Sequence, residues 1–454
     1  MPKWLKAALD YIPRWLEFQL RYHDQPGCAV ALAYKGGIVL EQAFGYADLA
    51  ASRRLTPRHR FRAASHSKSF AAAAVMKLHE QGRLRLDDPV GKYVGGLHAA
   101  LAKANMAQLL SHGSGAVRDG PDSGQFVDRR SFLSAAELRA DLEAAPPIRR
   151  NSRFKYSNHG YGLLGLVVEA VSGEPYVSWL KREIIDAAGL CETLADGPAP
   201  RGVPLALGHS SRLPLGRRVG IPGTYATHAM APAAGVVSTA SDLVRFFRQL
   251  SPEARPGLLS SASRRNMVRR RWRDPHSSIE RYYGLGLMSG SFHGWDWFGH
   301  SGGLQGYITR TCVLPGQELA LSVLTNAVDG QAHPWLEGAL HILRGFAANG
   351  APAPKLRDWR GRWWTLWNPI DLVPMGGKVL VARPDFFNPF LDASEIAVEG
   401  RSRGRIVLAG GYASHGEPAR LSRAKRGAIV EVQLGGARFR PETRVAREMA
   451  ARYT

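Results

Sequence analysis

Ser65 and Lys68 stand three residues apart at the head of an apolar, alanine-rich stretch that runs from Ala71 to Leu78. On a helix this spacing puts the two side chains on one face, with the serine near the positive N-terminal end. A serine hydroxyl is a weak nucleophile until a base takes its proton, and a lysine in a partly desolvated cleft is neutral enough to help. The pair therefore makes Ser65 the candidate nucleophile.

The Ser-x-x-Lys spacing alone is not specific, because it recurs at Ser152, Ser178 and Ser422. The first of these matches runs into a polar tetrapeptide, so no apolar helix follows it. The second lies inside an amphipathic helix without a second polar partner nearby, and the third lies in a basic turn, Leu421 to Arg426, between predicted strands. These surroundings favour Ser65 over the other three matches.

Two further segments carry groups that acyl transfer requires. In the first, Tyr156 can share proton handling with Lys68, and Asn158 can donate an amide hydrogen bond. The second segment, from His300 to Gly303, is glycine-rich and offers a strand edge whose backbone N–H can bind an oxyanion. We expect both segments to converge with Ser65 on one cleft, where the substrate and oxyanion contacts come from Asn158, His300, Ser301, Gly302 and Gly303.

The segment from Gly299 to Gly303 also fits the GxSxG nucleophile elbow, which makes Ser301 a rival nucleophile. That elbow has to run from a strand into a helix, whereas the residues from Tyr307 to Val313 alternate as a strand. The α/β-hydrolase interpretation is therefore less favoured. His112, in a loop from Gln108 to Gly115, is expected to hold that loop by hydrogen bonds and is left outside the catalytic set.

The composition indicates a soluble globular chain with a large core, since 45% of its 454 residues are hydrophobic and 22% are charged. The formal net charge of +22 permits nonspecific attraction to nucleic acid or anionic membrane. Because arginine is scattered through every segment, no specific nucleic-acid partner is predicted. We expect a small-molecule or short-peptide substrate, and the sequence permits a homo-oligomer.

Neither a metal nor another cofactor is predicted, because the sequence has no HExxH motif and no histidine and cysteine cluster at ligand spacing. The start, Met1 to Lys6, lacks the apolar core and cleavage site of a secretory signal, and no later run is long enough to span a bilayer. We therefore expect a cytoplasmic protein without a transmembrane segment.

The elements that must position these groups fall into two predicted domains. Residues 1–346 begin with a helix from Trp4 to Leu20 that is expected to restart at Pro13. Strands at both ends of this domain are predicted to join in one antiparallel sheet, with a helical region inserted between them, which is an α/β (α+β) fold. These strands are Cys28 to Tyr34, Ile38 to Tyr46, Tyr307 to Val313, and Leu319 to Thr325.

Residues 347–357 are predicted to be a linker and residues 358–454 a small antiparallel barrel or sandwich. The short strands that indicate it are Lys378 to Ala382, Ile396 to Glu399, Arg405 to Leu408, Ala428 to Leu434, and Ala437 to Arg440.

Taken together, the motifs resemble the serine β-lactamase and penicillin-binding-protein superfamily, on the side of class C β-lactamases, D-alanyl-D-alanine carboxypeptidases, D-aminopeptidases and related carboxylesterases. The resemblance is carried by Ser65-His66-Ser67-Lys68, Tyr156-Ser157-Asn158, His300-Ser301-Gly302, Leu109-Leu110-Ser111-His112 and Gly235-Val236-Val237-Ser238-Thr239.

That resemblance implies a β-lactamase/transpeptidase-like domain in which Ser65 is acylated, with Lys68 and Tyr156 as the general-base pair and Asn158 as a positioning residue. It also implies an oxyanion hole made by the backbone N–H groups of Ser65 and Gly303. The C-terminal segment resembles the lipocalin-like barrel that follows this domain in some peptidases of the superfamily.

One departure bears on the substrate, because His300-Ser301-Gly302 stands where β-lactamases and many carboxypeptidases carry Lys-Thr-Gly. A histidine is largely neutral near pH 7 and binds an anion less well than a lysine. An ester or amide without an obligatory carboxylate is therefore the expected substrate, as for D-aminopeptidases and esterase-like members. The alternatives are a β-lactamase or D-alanyl-D-alanine carboxypeptidase and, outside the enzymes, a non-catalytic penicillin-binding-like sensor, against which the intact Ser65, Lys68 and Tyr156 weigh.

Overall fold

The computed structural model describes residues 1–275, 280–410 and 413–453, which divide into two units. One unit is Gln25–His333, and the other combines Met1–Asp24 with Pro334–Thr454. The N-terminal helix is thus grouped with the C-terminal segment, whereas the sequence assigned it to the domain of residues 1–346. The division at a linker of residues 347–357 stays a prediction.

The described part of the first unit is built around a nine-stranded antiparallel sheet, in the order β3-β2-β1-β13-β12-β11-β10-β9-β8, with β4 paired to β7 and β5 to β6 outside it. The strands are β1 Gly27–Tyr34, β2 Gly37–Asp48, β3 Arg53–Arg54, β4 Phe61–Arg62, β5 Gly208–His209, β6 Gly220–Ile221, β7 Val237–Ser238, β8 Trp272–Arg273, β9 Arg281–Tyr283, β10 Met288–Phe292, β11 Trp295–Leu304, β12 Tyr307–Leu314 and β13 Leu319–Thr325.

The two ends of this unit meet at the centre of the sheet, where β1 pairs with β13 from Cys28 opposite Thr325 to Tyr34 opposite Leu319. Both strands are almost wholly buried, which explains their nearly continuous apolar sequences. The prediction of one antiparallel sheet closed by the first and last strands is confirmed.

The helices are α1 Lys3–Tyr22, α2 Ser67–Glu80, α3 Ala99–Ala102, α4 Met106–Leu110, α5 Ala135–Leu142, α6 Asn158–Ser172, α7 Tyr176–Leu180, α8 Ala231–Ala234, α9 Ala240–Gln249, α10 Ser261–Val268, α11 Ala332–Asn349 and α12 Glu442–Tyr453. The expected restart of the first helix at Pro13 is wrong, because α1 continues through this residue. No helix in the described ranges is both long and apolar enough to cross a bilayer.

Helix α2 is buried along most of its length because its alanines let neighbouring elements approach closely. Its Phe70 ring stacks on Phe246 of α9 with ring centroids 3.6 Å apart, and both side chains are fully buried. This stack fixes the helix that follows Ser65.

In the second unit, the described residues form an eight-stranded antiparallel barrel whose strands follow one another in chain order. They are β14 Gly361–Trp364, β15 Pro369–Met375, β16 Lys378–Ala382, β17 Ser394–Val398, β18 Arg403–Leu408, β19 Pro418–Arg423, β20 Ile429–Leu434 and β21 Ala437–Phe439. Two backbone hydrogen bonds of 2.8 Å between Trp364 and Arg440 close it. The predicted barrel is confirmed.

The basic turn predicted from Leu421 to Arg426 is wrong over its first part, because β19 extends to Arg423. Leu421 and Ala419 are buried in the barrel core, while Arg420 between them is exposed. Strands β14 and β15 were not predicted. In β15, Pro369 and Pro374 stand near the two ends, and because proline is uncommon inside strands the sequence did not indicate a strand there.

We expect Phe246→Ala to lower the free energy of unfolding by about 3–5 kcal/mol, because it deletes one partner of a fully buried ring stack. Chemical denaturation measures this loss. Phe246→Leu, which keeps most of the apolar volume, is the control and should cost less; an equal loss for both variants would contradict the role of the stack.

Candidate active site

The three side chains predicted for catalysis meet within hydrogen-bond reach. The Lys68 Nζ atom lies 3.1 Å from Ser65 Oγ, and the Tyr156 hydroxyl donates to the same Oγ at 2.9 Å. Lys68 is fully buried and also contacts the carbonyl oxygen of Ala233 at 2.9 Å, whereas Ser65 is partly exposed. Ser65 is therefore only partly covered, and both of its predicted catalytic partners lie within hydrogen-bond reach of the hydroxyl.

Ser65 lies in a short 3-10 turn, Ala64–His66, directly before α2, and not inside the first turn of the α-helix itself. Ala64 has a φ of +52°, a left-handed conformation that costs a residue with a side chain about 1–3 kcal/mol. Ser67 holds the turn, because its hydroxyl donates to Ala64 O at 2.6 Å and accepts the Val236 N–H at 2.9 Å.

Burial separates the protonation behaviour of the two partners of Ser65. It lowers the pKa of Lys68 well below the ordinary 10.5, with Asp119 opposing and Arg118 adding to the shift. Burial raises the pKa of Tyr156, and the hydrogen bond with Ser65 and the charge of Arg118 oppose this rise. The lysine can therefore lose its proton and act as a base, while the tyrosine keeps its proton and can donate it.

Asn158 is the first residue of α6, and Ser157 caps that helix by accepting the Gly160 N–H at 2.8 Å. The Asn158 amide donates to Asp119 Oδ1 at 2.5 Å, and Asp119 is paired with Arg118 at 2.9 Å. Asp119 and Arg118 were not predicted as site residues, because no local motif marks them and only the folded loop brings them to Asn158.

The glycine-rich segment lies at the end of β11, which continues past its pairing with β10 at residues 295–299 to Leu304. A Cβ on Gly302 would lie 2.2 Å from the Ala63 carbonyl oxygen and 2.9 Å from the Ala64 Cβ. Strand β11 therefore packs directly against the turn that carries Ser65. At Gly303 the nearest atom to such a Cβ is 3.5 Å away, which is ordinary contact.

His300 is buried, and both of its ring nitrogens have partners. Its Nδ1 lies 2.7 Å from the carbonyl oxygen of Ser301, and its Nε2 lies 3.0 Å from the Tyr283 hydroxyl. Because a carbonyl oxygen only accepts, Nδ1 donates and Nε2 accepts. Burial lowers the pKa of His300 well below the ordinary value, and the nearby His66 lowers it further. The ring is therefore neutral, with both nitrogens in use.

The side chain of Ser301 is not brought to this cluster. Its hydroxyl contacts the Met288 sulfur at 3.7 Å, and its cross-strand neighbour Arg310 contacts the same sulfur at 3.9 Å. Because side chains alternate along a strand, Ser301 faces away from the side of the sheet that His300 and Gly302 share. Ser65, Lys68, Tyr156 and the backbone of Gly302 are brought together instead.

Within the described residues, no group of three or more histidine, cysteine, aspartate or glutamate side chains could hold a metal ion.

The family model described as Beta-lactamase matches residues 15–339. The chain belongs to this family. It is similar to "Penicillin-binding protein 4" of Amycolatopsis lactamdurans, with 27% identity over 67% of this chain and 81% of the relative. Relatives from Staphylococcus aureus are matched over only about a third of their length, 36% for the protein of strain N315.

Two solved structures have a similar fold. The octameric penicillin-binding protein homologue from Pyrococcus abyssi covers 95% of this chain and 99% of its own, with a TM-score of 0.67 and 22% identity. The D-amino acid amidase from Ochrobactrum anthropi SV3 in complex with D-phenylalanine covers 74% of this chain and 99% of its own, with a TM-score of 0.65 and 21% identity. The fold predicted from the motifs is thus confirmed.

We expect Gly302→Ala to lower the free energy of unfolding by about 1–3 kcal/mol, because its Cβ overlaps the turn backbone. Labelling of Ser65 by a fluorophosphonate should slow as well, since the turn must move. Gly303→Ala is the matched control and should change the free energy of unfolding by less than about 0.5 kcal/mol. Equal stability of the two variants would show that β11 does not press on the Ser65 turn.

Proposed function

We propose that this protein is a serine hydrolase that forms a covalent acyl-enzyme on Ser65 and cleaves a small ester or amide bond. The observation that carries the proposal is the pair of contacts on Ser65 Oγ, one from Lys68 at 3.1 Å and one from Tyr156 at 2.9 Å. A sensor that only binds a ligand has no need of a buried base and a proton donor on one hydroxyl.

In the acylation step, neutral Lys68 accepts the Ser65 proton while Oγ attacks the substrate carbonyl carbon. A C–O bond forms, and the carbonyl electron pair moves to the oxygen, which the backbone N–H groups of Ser65 and Gly303 are proposed to hold. When the intermediate collapses, the bond to the leaving group breaks and Tyr156 supplies the proton that the leaving group takes. Water then attacks the carbonyl carbon of the acyl-enzyme while deprotonated Tyr156 takes its proton. The ester bond to Ser65 breaks, Lys68 returns its proton to Oγ, and the acyl group leaves as the acid, with Asn158 positioning the substrate.

The substrate is proposed to lack an obligatory carboxylate. His300 is neutral and both of its nitrogens are in use, so this position provides no cation for an anionic group. A short ester or an amide, such as a D-amino-acid amide, fits this condition better than a penicillin or a peptide ending in a carboxylate. The likeness to a D-amino acid amidase agrees with that choice.

A substrate panel tests the proposal. We expect kcat/KM on a chromogenic short-chain ester or a D-amino-acid anilide to exceed kcat/KM on penicillins. Ser65→Ala should abolish hydrolysis, and Tyr156→Phe should lower it about 10²–10⁴-fold. Ser178→Ala, at an exposed serine with the same Ser-x-x-Lys spacing, is the control and should leave the rate unchanged. Higher efficiency on penicillins would contradict the substrate choice, and hydrolysis by Ser65→Ala would contradict the mechanism.

The pH dependence of kcat/KM should follow Lys68. Because the base has to be deprotonated and its pKa is well below 10.5, the rate should rise with pH and level off well below pH 10.5. Tyr156 has a raised pKa, so loss of its proton should not reduce the rate up to about pH 10. The profile is measured with a neutral ester. A rising limb centred near the ordinary lysine pKa would contradict a base whose pKa is lowered by burial.

A further inference from the structure

His112 follows α4, and its ring lies beside that of Tyr156. Its described hydrogen bonds are to residues other than Ser65. Its side chain is 1% exposed, and its φ is +61°, in the left-handed region that residues with side chains seldom adopt. The contacts around His112 therefore have to hold its backbone in this conformation beside Tyr156.

Two hydrogen bonds join His112 to the residues on either side of Tyr156. Its carbonyl oxygen accepts the Lys155 N–H at 2.9 Å, and its ring Nδ1 accepts the Ser157 N–H at 3.1 Å. One residue therefore binds the backbone immediately before and immediately after the tyrosine. Since an amide N–H only donates, Nδ1 must be unprotonated, so the ring acts as an acceptor at this atom.

The ring of His112 also packs on the tyrosine, with the two ring centroids 4.3 Å apart and the planes inclined by 34°. The Tyr283 ring also lies beside His112, with the two ring centroids 4.7 Å apart, and its hydroxyl is hydrogen-bonded to His300. Burial lowers the pKa of His112 well below the ordinary value, which keeps Nδ1 available as an acceptor.

We propose that His112 is a positioning residue that fixes the Tyr156 phenol on Ser65 by bonding the backbone on both sides of it. This proposal rests on the proposed role of Tyr156 in proton transfer. His112 is not a second base, because its Nδ1 is already bonded to Ser157. Its effect should reach the reaction through the direction of the tyrosine hydroxyl, where a misplacement of about 1 Å can cost about 10²-fold in rate.

Two substitutions separate the hydrogen bond from the packing. In His112→Asn, the side-chain oxygen can take the place of Nδ1 as acceptor, and asparagine tolerates a positive φ. In His112→Phe, the ring remains but the acceptor is lost. We expect the asparagine variant to keep kcat within about tenfold of wild type and the phenylalanine variant to lose about 10²-fold in kcat, with KM little changed. If the phenylalanine variant does not fold, His112→Leu takes its place.

The deciding measurement is a double-mutant cycle with Tyr156→Phe, read as the rate of fluorophosphonate labelling at Ser65 and checked by thermal unfolding. If His112 acts through Tyr156, His112→Phe should cost nothing further once the tyrosine hydroxyl is absent. An undiminished cost in the Tyr156→Phe background would overturn the proposal, because it would show a general structural role. An asparagine variant as slow as the phenylalanine variant would overturn it too.

The same cycle distinguishes the proposed role of His112 from the proposed role of Tyr156. Loss of activity in Tyr156→Phe together with wild-type activity in His112→Phe would leave the hydrolase proposal standing and remove the role of His112. Wild-type activity in Tyr156→Phe would contradict the role of the tyrosine itself and, with it, the positioning role of His112.

Discussion

The burial of Lys68 is the constraint on which the rest of the site depends. Moving an ammonium group out of water costs several kcal/mol, so a fully buried lysine without a carboxylate in direct contact favours its neutral form. The rings of Tyr156 and Tyr161, whose centroids lie 4.8 Å and 5.6 Å from Lys68 Nζ, form part of that environment. Burial thus favours the neutral form of Lys68, which its proposed role as the base requires, and Nζ lies 3.1 Å from Ser65 Oγ.

Burial also explains why the two histidines near Ser65 stay uncharged. His112 and His300 each use a ring nitrogen as an acceptor, and burial lowers the pKa of both. Further positive charge close to Lys68 would disfavour its protonation, but it would also attract anionic substrates. A neutral histidine at position 300 therefore agrees with the proposed substrate, which has no obligatory carboxylate.

Much of the fold was predictable from the sequence because its signals are local. The buried strands β1 and β13 are continuous apolar runs, and the Ser-x-x-Lys motif opens an apolar helix, so both could be identified without a structure. Strand β15 and the partnership of Asp119 with Asn158 could not, since the first is concealed by prolines and the second arises only when a loop folds onto α6. The left-handed φ of Ala64 depends in the same way on contacts with distant segments.

Labelling with a fluorophosphonate would identify the nucleophile, because this reagent reacts with an activated serine and leaves a covalent adduct. Intact mass and peptide mapping on wild type and Ser65→Ala would locate that adduct. We predict one adduct in wild type, on the Ser65 peptide, and none in Ser65→Ala. An adduct on Ser301, or an adduct that persists in Ser65→Ala, would contradict this prediction, and the complete absence of labelling in wild type would favour a binding protein over a hydrolase.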